Sequence, residues 1–393
     1  MGASEDGRED GSSRRRWLVM AVCFAANFVV DGIGLSYGVL LPDVGATFET
    51  TVGAATLPGA LLVALALLVG PLAGGLVDRF GARSVMIGGG LLSAAAFSVA
   101  SLVPNYVVFT LLFGIVGGIG SGLVYLPSVT EIVFHFEQNR SLAAGITTAG
   151  AGAGYFIMAP IIRLLLQEYG LLGTVLLLGG LNLNCVVMGC LLPKKPPRSA
   201  LWHLSEPAAF LLGAYNVIAV SGYLAPLFFI GTAAEKRGVD ASDASWLVSV
   251  FGASNTLGRL FYGCLVDCTG YSPLLVTNGA LLVSSVMTAA APLLLRVRWH
   301  YLLYCASFGF AVSALIGLTS VYTVEVMGES RVNSAVGLVV MFRAVGVMAQ
   351  PLFGWLADIM NGTDVVFYTA AVLMSLASAL GCALKTHGRR RTV

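Results

Sequence analysis

The sequence predicts an all-α integral membrane protein, with twelve transmembrane helices in two six-helix bundles and both termini on the cytoplasmic side. Three observations predict it. Hydrophobic residues make up 57% of the 393-residue chain, charged residues only 11%, and mean hydropathy is +0.86; one water-soluble core of this size cannot hide so much apolar side chain. Apolar runs of about 20 residues recur along the whole length, as hydrocarbon-crossing helices require, whereas barrel strands need about 10. A glycine- and aspartate-bearing loop sequence occurs twice at an offset of 189 residues, at Gly74 and again at Gly263, so the chain reads as a duplication.

Residues 1–16 open the chain as a Gly-, Ser-, Glu- and Asp-rich cytoplasmic tail, expected to lack regular structure, and end in Arg14-Arg15-Arg16. The first six-helix bundle is expected over 17–193, with spans near 17–41, 53–77, 84–103, 106–134, 141–167 and 170–193. A cytoplasmic linker, 194–205, carries Lys194, Lys195 and Arg198. The second bundle, 206–384, has spans near 206–230, 245–266, 272–295, 300–324, 332–357 and 364–384, and a basic cytoplasmic tail, 385–393, closes the chain. Orientation follows from the basic residues: with the N-terminus inside, fifteen of the 22 Lys and Arg fall inside, four outside and three within spans, the bias expected of cytoplasmic loops. Asn361-Gly362-Thr363, a glycosylation acceptor pattern, falls in a loop placed outside.

The repeat relates Gly74-x-x-x-Asp78-Arg79-x-Gly81-Ala82-Arg83, after the second span, to Gly263-x-x-x-Asp267-Cys268-x-Gly270, after the eighth. Parallel repeats of this kind characterise secondary transporters, whose substrate sites lie at the repeat interface.

Ionisable groups at membrane depth are few: Asp31, Arg259 and Arg343, with Arg163 nearer an outer end and Glu131 and Glu325 nearer inner ends. Arginine keeps its proton at accessible pH, and a charge at the bilayer centre costs from about 2.5 to more than 10 kcal/mol. Arg259 therefore faces a wet cavity or a partner anion. That partner is either a travelling carboxylate or a fixed acid. Asn255, one turn away on the same helix face, is placed to assist Arg259 in anion binding. Asp31 has two readings, as a group protonated during turnover or as a counter-charge to Arg343. The three groups leave one surplus cation, which a monocarboxylate would cancel. Tyr37, Tyr125, Tyr155, Tyr215 and Phe251 are aromatics that either line a cavity or pack. The four histidines fall in loops or at span ends, and the seven cysteines show no metal-ligand or disulfide spacing.

The stretch Gly74 to Arg83 resembles the loop signature of the major facilitator superfamily. Within it, three stretches resemble the monocarboxylate transporter family (solute carrier family 16): Asp31-Gly32-x4-Tyr37-Gly38-Val39, then Phe136-x3-Arg140-Ser141-Leu142-Ala143-Ala144-Gly145-Ile146-x2-Ala149-Gly150, and Leu247-x-Ser249-x-Phe251-Gly252-x2-Asn255-Thr256-x-Gly258-Arg259. The resemblance implies that Arg259 meets the substrate carboxylate, with Asn255, Asp31, Arg343 and Tyr37 as further substrate-binding candidates. It also implies a cytoplasmic gate of Asp78, Arg79, Gly81 and Arg83. There Asp78 caps the N-terminus of span eleven, a loop arginine pairs with an acid such as Glu131, and Glu325 plays the matching part near Asp267. The chain departs from the proton-coupled lactate carriers: Asn255 stands where they have an aspartate, and Leu41 or its neighbours where they have a lysine. A less characterised member of the family is the better fit.

The expected function is thus a multi-pass plasma-membrane carrier that moves small organic anions, chiefly monocarboxylates, by alternating access, with protons as the candidate coupling ion and a single-span accessory membrane protein as a candidate partner. No cofactor, metal or nucleic acid is expected, and no nucleophile–base pair or phosphate loop suggests an enzyme. Two rival readings stay open: a facilitator of neutral or aromatic amino-acid-like solutes, and a non-transporting scaffold or sensor.

Overall fold

In a computed structural model of the chain, residues 3–136, 138–194, 207–237, 241–360 and 362–389 are described. The linker apart from Lys194, Asn361 and the end of the basic tail therefore lie outside the described residues. The chain divides into two compact units, Met1–Leu201 and Trp202–Val393, and every described regular element is helical.

The first unit comprises α1 (Ala3–Leu35), α2 (Tyr37–Thr47), α3 (Val52–Leu68), α4 (Gly70–Phe80), α5 (Ala82–Leu102), α6 (Tyr106–Phe109), a π-helical stretch (Thr110–Val116), α7 (Gly117–Thr130), a 3₁₀ turn (Glu131–Phe134) and α8 (Arg140–Leu191). The second comprises α9 (Pro207–Lys236), α10 (Ala241–Thr269), α11 (Pro273–Leu294), α12 (Arg298–Gly317), α13 (Thr319–Met327), a 3₁₀ turn (Glu329–Arg331), α14 (Val332–Met348), α15 (Gln350–Ile359) and α16 (Asp364–Arg389). Among the described residues nine helices are long and apolar enough to cross a membrane, or ten when α3 and α4, bent by 49°, count as one span.

Three features depart from the expectation. The tail is helical from Ala3 onward, where composition suggests no regular structure; once the apolar span fixes a helical nucleus, each added residue gains a hydrogen bond without a new nucleation cost. Span one breaks at Ser36, so Tyr37 begins a new helix. Spans five and six form one 52-residue helical run broken at Gly170, whose φ of 64° only glycine adopts cheaply.

Each unit has its own apolar core. Cys23, Phe97, Phe109 and Phe113 anchor the first, and Tyr215, Phe308, Tyr322 and Met374 the second. In the first unit α8 packs on α1 and α5; in the second, α10 packs on α12 and α16 on α9 and α11. The α10–α12 contact depends on missing side chains. A Cβ at Gly258 would sit 2.5 Å from the Phe310 carbonyl oxygen, and one at Gly309 would sit 2.7 Å from that of Phe251. Such close approach is the usual device for packing membrane helices, and here it sets the depth of Asn255 and Arg259.

Candidate functional site

The α12–α13 junction is the centre of the polar interior of the second unit. The helix breaks at Leu318 (φ −98°, ψ 11°), between Gly317 and Thr319. A break inside a membrane span exposes backbone groups that must find partners, and it is tolerated where it meets protein or a wet cavity. Two arginines approach this segment. Arg343, on α14 and only 4% exposed, donates from Nη2 to the Leu315 carbonyl oxygen at 3.1 Å, to Thr319 Oγ1 at 2.7 Å and to the Tyr322 hydroxyl at 2.8 Å. Its Nε donates to Asn216 Oδ1 on α9 at 2.9 Å. All four acceptors are neutral.

Arg259 also meets this segment. Its stem lies over Gly317, where an added Cβ would come 3.3 Å from Cγ and 3.4 Å from Cβ of the arginine. Its Nε donates to Asn255 Oδ1 at 3.0 Å, and Asn255, 8% exposed, donates from Nδ2 to the Gly309 carbonyl oxygen at 3.1 Å. The amide is thus fixed from below by α12 and presents its oxygen to the guanidinium, the i,i+4 arrangement expected from the sequence. Tyr215 meets Tyr322 edge-on, with ring centroids 6.2 Å apart. It is wholly buried, and its hydroxyl has no hydrogen-bond partner.

The remaining sequence candidates divide between the units. Asp31 is half-buried in the first unit and lines a cavity of about 50 Å³ with Leu62, Val63, Ala66, Ser121 and Tyr125. It belongs to a different unit from Arg343, whose described partners all come from the second. Tyr37, a binding candidate, is packed in the first unit. It is 6% exposed, donates its hydroxyl to the Ala55 carbonyl oxygen at 2.7 Å and stacks at a tilt on Phe113. Phe251 likewise packs, on Phe308.

Of the gating candidates, Asp78 is buried at the end of α4, while Arg79 is exposed and lies over the Phe80 ring at 5.4 Å. Gly81 has φ 80° and ψ 153°, a backbone state open to glycine, and Arg83 follows at the start of α5. The repeated glycine, Gly270, has φ 66°, so both copies of the loop turn through a positive-φ glycine. Glu131 is 3% exposed, and its Oε1 lies 3.7 Å from His135 Nδ1; the sequence points to a loop arginine as its partner and misses this one. Glu325 lies in the last turn of α13. Its carboxylate accepts from Ser272 Oγ at 2.5 Å and from the Leu274 N–H at 3.1 Å, so it caps the positive N-terminus of α11. Asp267 is half-buried at the end of α10.

Asn216, Leu315, Gly317, Thr319 and Tyr322 escape the sequence reading. The available signal is Gly317 with the hydroxylated pair Thr319-Ser320 inside an apolar span, together with a lone asparagine in the seventh.

Comparison with known proteins agrees with this picture. The family model described as Major Facilitator Superfamily matches residues 17–346 and 209–392. Monocarboxylate transporter 11 of Mus musculus is 30% identical over 364 residues, 87% of this chain and 81% of the relative. Its Homo sapiens counterpart is 29% identical over 381 residues, 91% and 79% of the two chains. Monocarboxylate transporter 3 of Rattus norvegicus is 27% identical over 392 residues, 92% and 78%. Among solved structures, the E. coli fucose:proton symporter FucP superposes with a TM-score of 0.75 at 14% identity, covering 93% of this chain and 98% of that one. The human organic anion transporter MFSD10 gives 0.73 at 17% identity, covering 93% and 99%. These last two likenesses concern the fold alone. The protein is an integral, multi-pass membrane protein of a transporter family, not an enzyme. The chain belongs to the Major Facilitator Superfamily and, within it, to the monocarboxylate transporter family.

Proposed function

We propose that this protein is a secondary transporter that carries small organic anions across the plasma membrane by alternating access, through twelve spans with both termini cytoplasmic. The observation that carries the reading is Arg259. It is a permanent cation on an apolar helix, steadied by a neutral amide at 3.0 Å and laid against a helix break. A guanidinium can meet a carboxylate through two parallel donors, and intramembrane charges mark substrate pathways. The relatives' names, monocarboxylate transporters, support the anion class. Asp31, half-buried beside a small cavity, is the candidate proton carrier. Asp78, Arg79, Gly81, Arg83, Glu131 and Asp267 are candidates for closing the cytoplasmic side. A single-span accessory protein is a candidate partner for surface delivery.

The test is uptake by proteoliposomes holding the purified full chain, with radiolabelled lactate, pyruvate, an aromatic amino acid and a longer carboxylate. Saturable uptake of at least one carboxylate, lost in Arg259→Ala, is the expected result. Equal uptake by wild type and Arg259→Ala would remove the arginine from the site. Uptake of the amino acid alone would favour the neutral-solute reading, and movement of nothing above empty vesicles the scaffold. Asp31→Asn tests coupling: a variant whose uptake keeps the wild-type pH dependence excludes Asp31 as the proton carrier.

A further inference from the structure

We infer that Cys264 and Cys268, at the cytoplasmic end of α10, form a modification site that takes long-chain fatty acyl groups as thioesters and so anchors that helix end in the bilayer. The inference rests on the orientation proposed above, with both termini cytoplasmic, and on nothing about the substrate.

The cysteines sort by place. Cys23, Cys185 and Cys305 are buried, whereas Cys190, Cys264, Cys268 and Cys382 are exposed. In the proposed orientation all four exposed thiols lie near the inner ends of spans six, eight and twelve. Two of them stand together: the sulfurs of Cys264 and Cys268 are 3.6 Å apart. Their helix ends one residue later, at Thr269, and the chain turns at once through Gly270, with φ 66°, toward α11 at Pro273. Tyr271 in that turn is exposed, an aromatic of the kind that sits at headgroup level.

The face of the helix matters as much as its end. Leu257, Phe261, Cys264 and Cys268 are all exposed, and at about 3.6 residues per turn they form one stripe roughly opposite Asn255 and Arg259. The thiols thus continue an apolar, lipid-facing stripe and point away from the arginine. An acyl chain on either sulfur can lie back along Phe261 and Leu257 within the hydrocarbon. Juxtamembrane cysteines so placed are sites of reversible S-acylation. Carried back along the 189-residue repeat, Cys268 corresponds to Arg79, exposed at the end of α4. One unit thus has a cation at the depth where anionic headgroups attract it, and the other a thiol on which a lipid anchor is built. Rival chemistries fit less well. Cβ atoms at i,i+4 on a helix are about 5–6 Å apart, beyond the roughly 3.5–4.5 Å of a disulfide. Two sulfurs also supply only half of a tetrahedral zinc shell, and no group of three or more metal-ligating side chains occurs among the described residues. In the acylation step the cysteine sulfur attacks the carbonyl carbon of a long-chain acyl-coenzyme A. A C–S bond to cysteine forms, the bond to the coenzyme's sulfur breaks, and coenzyme A leaves as a thiol with the proton that the cysteine gives up, so nothing is oxidised or reduced.

The test expresses the full chain in cultured mammalian cells fed an alkynyl analogue of palmitate. The isolated protein is coupled to a fluorophore through the alkyne, with and without neutral hydroxylamine, which cleaves thioesters. Wild type is expected to carry label that hydroxylamine removes. Cys264→Ser with Cys268→Ser is expected to lower label per protein at least twofold, the share of the pair if all four exposed thiols are acylated equally. Acyl exchange on wild type needs no variant and so covers a double variant that fails to fold. Free thiols are blocked, hydroxylamine releases the acylated ones, and a heavy maleimide tags them; the tag is expected on the peptide holding Cys264 and Cys268. Wild type without hydroxylamine-sensitive label, a smaller fall in the double variant, or a tag absent from that peptide overturns the inference. A membrane-impermeant maleimide separates this failure from that of the orientation. Reaction of the two thiols in intact cells would put that end of α10 outside and overturn both, whereas thiols unreactive from outside and free of acyl groups overturn the inference alone.

Discussion

The two units share a loop and differ in what they bury behind it. Both turn through a positive-φ glycine after the repeated Gly-x-x-x-Asp sequence, Gly81 in one and Gly270 in the other. Carried back along the 189-residue offset, Asn255 and Arg259 correspond to Ala66 and Gly70. Ala66 lines the small cavity beside Asp31, and Gly70 starts α4 after a break. At equivalent positions, then, the first unit has two small residues, one of them lining a cavity with an acid, and the second has a cation with its supporting amide. Duplication has kept backbone turns, which depend on glycine, while the side chains facing the interior have diverged toward opposite charge. The lesson is that the repeat carries the scaffold and the departures from it carry the chemistry.

Removing the side chain that most separates the units has the largest expected effect. Arg259→Ala, which takes the second unit toward the Gly70 of the first, should lower carboxylate uptake at least ~30-fold, since deleting one partner of a desolvated charge pair costs about 2–5 kcal/mol. Initial uptake rates, normalised to reconstituted protein, measure it. Next comes the cage of Arg343. Tyr322→Phe removes the acceptor 2.8 Å from Nη2 and the donor 3.0 Å from Asn216 Oδ1, and should cost about 1–3 kcal/mol, the usual penalty for stranding a buried polar group. Thermal unfolding in detergent should show a midpoint lowered by several degrees. A midpoint equal to wild type would mean that the cage does not hold α13 to α14.

The division between scaffold and chemistry also explains what was legible in the sequence. Arg259 and Asn255 could be paired from spacing alone, because i,i+4 residues share a helix face. The repeated glycines could be found because a positive φ restricts the residue type. The partners of Arg343 could not. Asn216 is 127 positions away and Tyr322 21 positions, and contacts of that kind are set by how helices pack, not by any local period. Tyr37 is a case the sequence leaves open between lining a cavity and packing. Past the break at Ser36 its ring lies against Phe113. Glu325 reads from sequence as an acid near the inner end of its span, yet its partner, the N-terminus of α11, is visible only once α13 is placed beside it.

Smaller effects sharpen the comparison at the helix ends. Glu325→Ala strips one acceptor from the first turn of α11, where Ser272 remains as a cap accepting from Leu275 N–H at 3.3 Å. Because the carboxylate is exposed and a second cap survives, the loss should be about 0.5–1 kcal/mol, a shift of a degree or two in midpoint with little change in uptake. Ser272→Ala with Glu325→Ala should lose less than the two single changes combined, because the hydroxyl bonds the carboxylate at 2.5 Å and each single change already breaks that bond.

The smallest expected effect is at Tyr37, and it discriminates packing from substrate contact. Tyr37→Phe keeps the ring against Phe113 and the backbone of Gly59, where an added Cβ would collide with it, and deletes only the hydroxyl that donates to Ala55 at 2.7 Å. A net hydrogen bond of this kind contributes about 0.5–1.5 kcal/mol, and a helix carbonyl also has its own backbone donor to fall back on, so the cost belongs at the lower end. Uptake kinetics should match wild type, with KM for any transported carboxylate within about twofold, roughly 0.4 kcal/mol. A tenfold rise in KM at unchanged thermal midpoint would put the Tyr37 hydroxyl back among the groups that meet the substrate, and the first unit would then contribute a polar contact as well as an acid.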